Sequence, residues 1–167
     1  MDSPEGEALQ HIEKHLGALP NNWAKLDPLS RASILLIGMA SASISEKKLP
    51  DETALLGVSV HGSLYADLLF WKSLSNTIEE ASPQLFVLTL PSIPLSQAAI
   101  VHKIKGPVLA FLSNQKENIM ELGIEKAKNF ILSESSIHLV YALSLDLIPQ
   151  AKGTEPRLQA ELAVIMS

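Results

Sequence analysis

The chain has 167 residues, of which 47% are hydrophobic and 19% charged, so it can bury one sizeable core and is not a disordered chain. Its net charge of −5 disfavours general nucleic-acid binding, and the lack of cysteine excludes disulfides, thiolate metal sites and a cysteine nucleophile. The mean hydropathy of +0.20 is high for this size, which indicates either a large core or a face that another molecule covers.

The amino-terminal residues MDSPEGEALQ are polar and acidic, unlike the basic and apolar regions of a secretion signal. The most apolar stretch, residues 32–44, is shorter than the about 20 residues that span a bilayer. We therefore expect a cytoplasmic protein with no membrane span, no metal and no other cofactor. His11 and His15 have a spacing compatible with a metal ion, but a solvated helix face explains them better.

In the first half of the chain the pattern predicts three helices and one strand. An amphipathic helix at 5–17 and an irregular connector precede a helix over about 29–45, which Asp27 caps and Pro28 starts. That helix is apolar on nearly every face, which predicts burial between layers. Residues 54–60 are a short apolar run of strand length, residues 61–63 a turn, and residues 64–74 a helix.

In the second half, residues 83–90 are predicted to be extended or irregular. A helix over 92–104 ends before Gly106 and Pro107, and residues 108–112 form a second buried strand. An apolar stripe predicts a helix at 118–131, and strands follow at 136–145 and 158–166. This order predicts one α/β domain over residues 1–167, with a mixed β-sheet covered by helices on both faces.

The segment GVSVHG at 57–62 differs at one position from the nucleophile elbow G-x-S-x-G. His61 occupies the place of the second glycine, where helix and strand approach closely, and Ser59 lies inside an apolar run. A strand that ends in a turn is therefore the favoured interpretation. A hydrolase that uses Ser59 or Ser63 with His61 stays open as a lesser alternative.

Other polar residues carry weaker signals. His138 falls within an apolar run, which is typical of a core or interface histidine. Lys103 and Lys105 make a small basic spot at a predicted helix end, which suits the helix dipole and also an acidic partner. The turn between the strand at 108–112 and the next helix is of a kind that places reactive side chains at a helix amino terminus. Here the turn holds Gln115, whose amide is not a nucleophile.

Four segments in order resemble the β-ketoacyl synthases of the thiolase superfamily: LDPLSR at 26–31, GVSVHGS at 57–63, SP at 82–83 followed by TLPSI at 89–93, and KGP at 105–107. In this register the family's active-site cysteine falls on Gln115, and Gly123 matches the family's glycine eight residues later. The sequence departs from the family at Ser92 and Val108, where asparagines are usual. Of a later glycine-rich motif it keeps only Asp146.

A glutamine in the cysteine position is similar to the chain length factors, the non-condensing partners of ketosynthases, especially those of aryl polyene and type II polyketide systems. The resemblance covers about 26–148 and 158–167, so it implies a thiolase-like half-fold. The family's carboxy-terminal half, with its catalytic histidines and lysine, has no counterpart in this sequence. The resemblance therefore implies a non-catalytic protein.

The resemblance also implies partners: a ketosynthase subunit and, through the complex, an acyl carrier protein. Family members pair through the strand that precedes the active-site turn, which here is about 106–113. The implied residues of the acyl pocket and interface are Tyr65, Leu68, Leu69, Trp71, Phe111, Ser113 and Gln115, and those that contact the carrier protein are Lys103 and Lys105. A self-associating structural or binding domain, present as a homodimer, stays open as the main alternative.

Overall fold

The computed structural model describes residues 13–44, 49–74, 81–114, 117–151 and 154–167. Four strands form one sheet in the order β2-β1-β3-β4, and their bounds are β1 Thr53–Ser59, β2 Val108–Leu112, β3 Leu139–Ile148 and β4 Arg157–Met166. β1 runs parallel to both β2 and β3, whereas β4 is antiparallel to β3. The predicted mixed sheet is confirmed.

The helices whose bounds lie wholly within the described residues are α1 Pro28–Ser43, α2 Leu64–Ser73, α3 Pro83–Leu88, α4 Ile93–His102 and α5 Ile119–Ser133. Two short 3-10 turns lie at Trp23–Lys25 and Pro50–Glu52. Residues 13–16 are helical, and the rest of the helix predicted at 5–17, including His11, lies outside the described residues.

Helices cover both faces of the sheet, as predicted. On one face α1 and α4 pack on inward side chains of β1 and β3, among them Leu55 and Leu143, which are fully buried. On the other face α5 packs on the alternate side chains, among them Leu56 and Val140. β1 and β3 are therefore apolar at successive positions because both of their faces are covered.

α1 begins where the sequence predicts. The carboxylate of Asp27 accepts hydrogen bonds from the amides of Leu29 and Ser30 and from the Ser30 hydroxyl, and Pro28 is the first helical residue. These bonds satisfy amides that have no partner inside the helix. The predicted burial of α1 on all sides is wrong, since Met39 is 48% exposed on the outer side of the layer.

Two other element predictions need correction. Residues 83–90 are not extended: the Ser82 hydroxyl accepts a hydrogen bond from the Leu85 amide and Pro83 starts the helix α3. The third strand, predicted at 136–145, begins three residues later, at Leu139, because residues 135–136 form a turn. It also ends three residues later, at Ile148.

The strand β2 was expected to be buried but occupies an edge of the sheet. It pairs with β1 on one side, and no described strand pairs with its other side. Its last residue, Leu112, is 62% exposed. An unpaired edge presents backbone donors and acceptors to solvent or to another chain.

The imidazole of His102 lies between α4 and α1, where its Nε2 is 2.8 Å from the carbonyl oxygen of Ile34. Burial lowers the pKa of His102 below its ordinary value of 6.5, because the imidazolium loses hydration, and the hydrogen bond to Ile34 offsets part of this effect. His102 is therefore held neutral in the folded chain at neutral pH.

This histidine predicts a pH dependence of stability. The unfolded chain binds a proton at the ordinary pKa and the folded chain only at lower pH, so the free energy of unfolding falls as the pH drops below about 6.5. We expect His102→Gln to reduce this fall, since glutamine does not titrate and can still donate to Ile34. Urea unfolding at about pH 7.5 and about pH 5 measures it; an equal fall in both proteins would contradict the assignment.

Candidate functional site

An apolar cavity of about 80 Å³ lies at the carboxyl ends of β1 and β2. In sheets with parallel strands, binding sites commonly occur at this end, where the following helices begin. α2 forms one wall with Tyr65, Ala66 and Leu69, and β3 contributes Leu145 and Leu147. The segment from α3 into α4 forms another wall with Leu88, Leu90, Pro91, Ile93, Pro94 and Leu95.

A tight turn after β1 directs α2 along this cavity. Gly62 has a φ of +55°, a conformation that residues with a side chain rarely adopt. A Cβ at Gly62 would also lie 2.8 Å from a methyl carbon of Leu112. The turn therefore requires glycine both for its backbone and for the close approach of β2.

The carboxylate of Asp146, a residue of β3 that is 5% exposed, is the polar centre of this end of the sheet. Its Oδ1 accepts hydrogen bonds from the Ser59 hydroxyl and the His61 amide, both at 2.7 Å, and its Oδ2 accepts from the Val60 amide at 3.0 Å. The Nδ1 of His61 is 3.2 Å from Oδ1 and donates to it when that nitrogen is protonated. These bonds, which we call the Asp146 cluster, tie the end of β1 to β3.

The Asp146 cluster disfavours the hydrolase hypothesis. The hydroxyl of Ser59 donates to Asp146 and accepts from the Gly62 amide at 2.6 Å, and Ser59 is only 8% exposed. A serine nucleophile instead needs its hydroxyl directed at the imidazole and open to a substrate. The other candidate, Ser63, donates its hydroxyl to Asp67 at 3.1 Å.

The structure brings together three of the residues expected at the acyl pocket and separates the others. Tyr65, Leu69 and Phe111 line the cavity. Leu68 and Trp71 lie outside it on α2, 41% and 74% exposed. Apolar residues occur on every side of α2, so the sequence period alone does not show which of them face inward.

The remaining expected residues lie at the margins of the site. The Ser113 amide donates to the carbonyl of Ser59 at 3.0 Å and so extends the pairing of β2 with β1. Gln115 lies outside the described residues. Lys103 follows the last residue of α4, and Lys105 precedes β2. Both therefore lie near the amino end of β2, whereas the cavity is at its carboxyl end. The Nζ of Lys105 is 3.8 Å from the Asp51 carboxylate.

Several residues of this candidate site were not predicted from the sequence. Asp146 was noted only as a match to a motif, because its partners are more than 80 positions earlier in the chain. The wall from Leu88 to Leu95 was missed because residues 83–90 were predicted to be irregular, although Ser82 followed by Pro83 is a helix-start signal that could have revealed α3.

Within the described ranges, no group of three or more metal-binding side chains comes together. No described helix has the length and apolar character needed to cross a membrane. His138 lies just before β3, where its Nδ1 is 3.1 Å from the Ser167 hydroxyl.

Comparisons with known proteins identify the fold. Neither a family model nor a curated protein matches this sequence. Among solved structures, the ishigamide ketosynthase/chain length factor matches 93% of the chain with a TM-score of 0.69 and 16% identity. The ketosynthase ApeO in complex with its chain length factor ApeC, from Xenorhabdus doucetiae, matches 89% with a TM-score of 0.61 and 17% identity.

The chain has the thiolase-like fold of ketosynthase and chain length factor proteins. The fold implied by the resemblance of the sequence is therefore confirmed. The chain spans 47% of the length of the ishigamide protein and 62% of the length of the chain it matches in the ApeO–ApeC complex.

The Asp146 cluster yields a test of what holds the site together. Asp146→Asn replaces one acceptor oxygen by an amide donor that faces buried donors, so we expect a loss of about 3 kcal/mol in the free energy of unfolding. Asp67→Asn is the matched control, because that carboxylate is exposed and accepts a hydrogen bond from the Ser63 hydroxyl; its effect should stay within about 0.5 kcal/mol. Urea unfolding measures both, and equal stability of the two variants would contradict the role of Asp146.

Proposed function

We propose that this chain is a non-catalytic subunit that associates with a ketosynthase and helps to shape the pocket for a growing acyl chain. The observation that carries the proposal is the apolar surface around the cavity. The exposed apolar side chains of α2 and of the segment that includes α3 are Leu64, Leu68, Trp71, Phe86, Val87 and Leu90. Such a concentration of exposed apolar side chains is typical of a surface that another protein covers.

These two segments act as one surface because they are packed together. The rings of Phe70 and Phe86 have centres 5.4 Å apart and are tilted by 58°. Trp71, at 74% exposed, is the largest side chain on this surface and the residue type most often central to protein interfaces. We call the surface formed by α2 and residues 83–90 the α2–α3 surface.

The proposal of a non-catalytic role rests on one feature of the sequence and one of the described structure. Gln115 stands where the resemblance places a cysteine nucleophile, and an amide side chain does not attack a thioester. The hydroxyl of Ser59, which shares the Asp146 carboxylate with His61, donates to Asp146 and accepts from the Gly62 amide. The wall of the cavity thus favours holding a chain over reacting with it.

The edge strand β2 supports association by strand pairing. No described strand pairs with its outer side, and its last residue, Leu112, is 62% exposed. The same edge also suits a second copy of this chain, which is the alternative of a self-associating domain. Light scattering of the isolated chain separates the two: a stable homodimer favours self-association, and a monomer that joins a ketosynthase favours the proposal.

The contacts to an acyl carrier protein at Lys103 and Lys105, the single domain over residues 1–167 and the cytoplasmic location stay predictions. The two lysines suit an acidic carrier by charge. The two lysines lie at the opposite end of the strands from the cavity. A carrier protein bound to them would therefore be held near the complex but would not itself insert the acyl chain at the cavity.

Coexpression with the ketosynthase encoded nearest to this gene tests the proposal. Trp71→Ala should weaken the complex at least tenfold, since it removes a large exposed side chain from the interface. Tyr65→Ala should leave the complex intact and shift products to greater length, because it removes bulk from the cavity wall. Size-exclusion chromatography, titration and product analysis measure these effects.

Leu132→Ala is the control for the exposed tryptophan, since Leu132 is 84% exposed on α5, away from the α2–α3 surface. It should change neither the complex nor the product. The proposal fails if no complex elutes with the unaltered chain, or if Trp71→Ala and Leu132→Ala behave alike and product length ignores Tyr65→Ala.

A further inference from the structure

We infer that α2 and α3 form one cooperative unit, which unfolds and refolds while the rest of the domain stays folded, and that a bound partner completes its order. We call the two helices the α2–α3 unit, and the sheet with α1, α4 and α5 the body. Opening of the unit is a property of this chain alone. Its ordering by a partner rests on the proposed function.

Neither helix of the unit contributes a fully buried side chain. The structure describes every residue of α2 and α3, and none of them is buried. By contrast, α1, α4 and α5 bury Ile37, Leu95 and Ala127, each at most 1% exposed. Segments with few buried apolar contacts open at a lower free energy than core elements do. The unit is therefore less stable than the helices of the body.

The two helices are also too short to persist without tertiary contacts. α2 has ten residues and α3 has six, whereas isolated helices shorter than about 12–15 residues are marginal in water. The side chain of Ser63 makes no capping hydrogen bond at the start of α2, and its hydroxyl donates to Asp67 instead. Helices of this kind melt when they leave the surface that supports them.

The contact between the unit and the body is incompletely packed. α2 and β3 line the same cavity of about 80 Å³, α2 with Tyr65, Ala66 and Leu69 and β3 with Leu145 and Leu147. Side chains that border a cavity make fewer dispersion contacts than side chains in a close-packed core. Separation of the unit from the sheet therefore costs less than separation of a helix that is packed without a cavity.

Contacts between α2 and α3 make them a single unit. The rings of Phe70 and Phe86 join the two helices, with centres 5.4 Å apart. The Ser73 hydroxyl donates to the carbonyl of Phe70 at 2.7 Å and accepts from the Ser82 amide at 3.5 Å. If one helix melts, the other loses these contacts, so the two helices are expected to open together.

The body retains its own contacts on both sides of the unit. Before α2, the Asp146 carboxylate accepts from the amides of Val60 and His61, which fixes them to β3. Gly62 follows directly, with a φ of +55°. After α3, α4 holds Leu95 in the core. Opening of the unit therefore leaves the pairing of β1 and the packing of α4 intact.

A partner that covers the α2–α3 surface would supply the buried contacts that these helices lack. A partner that binds only the ordered unit shifts its population toward the ordered state. Part of the binding free energy then offsets the cost of ordering, as in other cases of coupled folding and binding. Exposed apolar side chains and low local stability are two consequences of the same missing contacts.

Amide hydrogen exchange of the isolated full chain in low concentrations of urea tests the unit. We expect the hydrogen-bonded amides of α2 and α3 to share one opening free energy and to exchange at least about 100-fold faster than those in the middle of β1 and β3. The inference is overturned if the helices exchange as slowly as β1, or if α2 and α3 open with clearly different free energies.

Two neighbouring variants test the coupling between the helices. Phe86→Ala should speed exchange in α2 at least about fivefold, because it removes the ring that contacts Phe70. Val87→Ala is the matched control, an exposed apolar residue of the same helix, and should change exchange in α2 less than about twofold. Equal effects of the two variants on α2 would show that the helices open independently.

Addition of the ketosynthase separates this inference from the proposed function. Exchange in α2 and α3 should slow at least about tenfold in the complex, while exchange in β1 stays unchanged. If a complex elutes and the helices still exchange as in the isolated chain, ordering by the partner is refuted and the proposed function stands. If no complex elutes, the proposed function fails and so does ordering by this partner, whereas the opening measured on the isolated chain is unaffected.

Discussion

The hydrogen bonds to the Asp146 carboxylate are the interaction on which this end of the molecule depends. A buried carboxylate is costly unless donors replace its lost hydration. Here the Ser59 hydroxyl and the amides of Val60 and His61 supply them, from the last residue of β1 and the two residues that follow it. Bonds of this charge-assisted kind are stronger than those between neutral groups. The turn is thereby fixed to β3 and not only to its own strand.

The position of the turn determines the position of α2, and α2 determines the cavity. Gly62 and Ser63 connect the Asp146 cluster directly to the first residue of the helix. Tyr65, the second residue of that helix, is already part of the cavity wall. The same residues that resemble a catalytic motif in the sequence, Ser59 and His61, thus serve to place a helix. The Ser59 hydroxyl donates to the Asp146 carboxylate, and the Nδ1 of His61 lies within hydrogen-bonding distance of it.

The sequence predicted the elements whose signals are local. β1 was found because residues 54–58 form a run with no polar side chain, which is typical of a strand covered on both faces. α1 was found because Asp27 and Pro28 together specify a helix start. α3 was missed since its six residues are too few to show a period, although its cap was visible. The edge position of β2 depends on strand order, which no local pattern determines.

The candidate site was predictable only in part, for the same reason. The resemblance to ketosynthases directed attention to α2 and β2, and three of its residues do line the cavity. The partners of Asp146 are distant in sequence, so their contact follows from the parallel pairing of β1 with β3. The structure also explains the high mean hydropathy. Apolar side chains lie both in the core and on the surface, where Trp71 and Phe86 are exposed.

The proposal that the α2–α3 surface binds a partner is tested most directly by amide hydrogen exchange, measured on the chain alone and on the chain mixed with the ketosynthase. Exchange in residues 64–73 and 83–90 should slow in the complex, because the partner excludes water from those helices. The amides of Val60 and His61 should exchange slowly in both samples, since Asp146 accepts from them. Protection confined to β4 or α5, with residues 64–73 unchanged, would contradict the account.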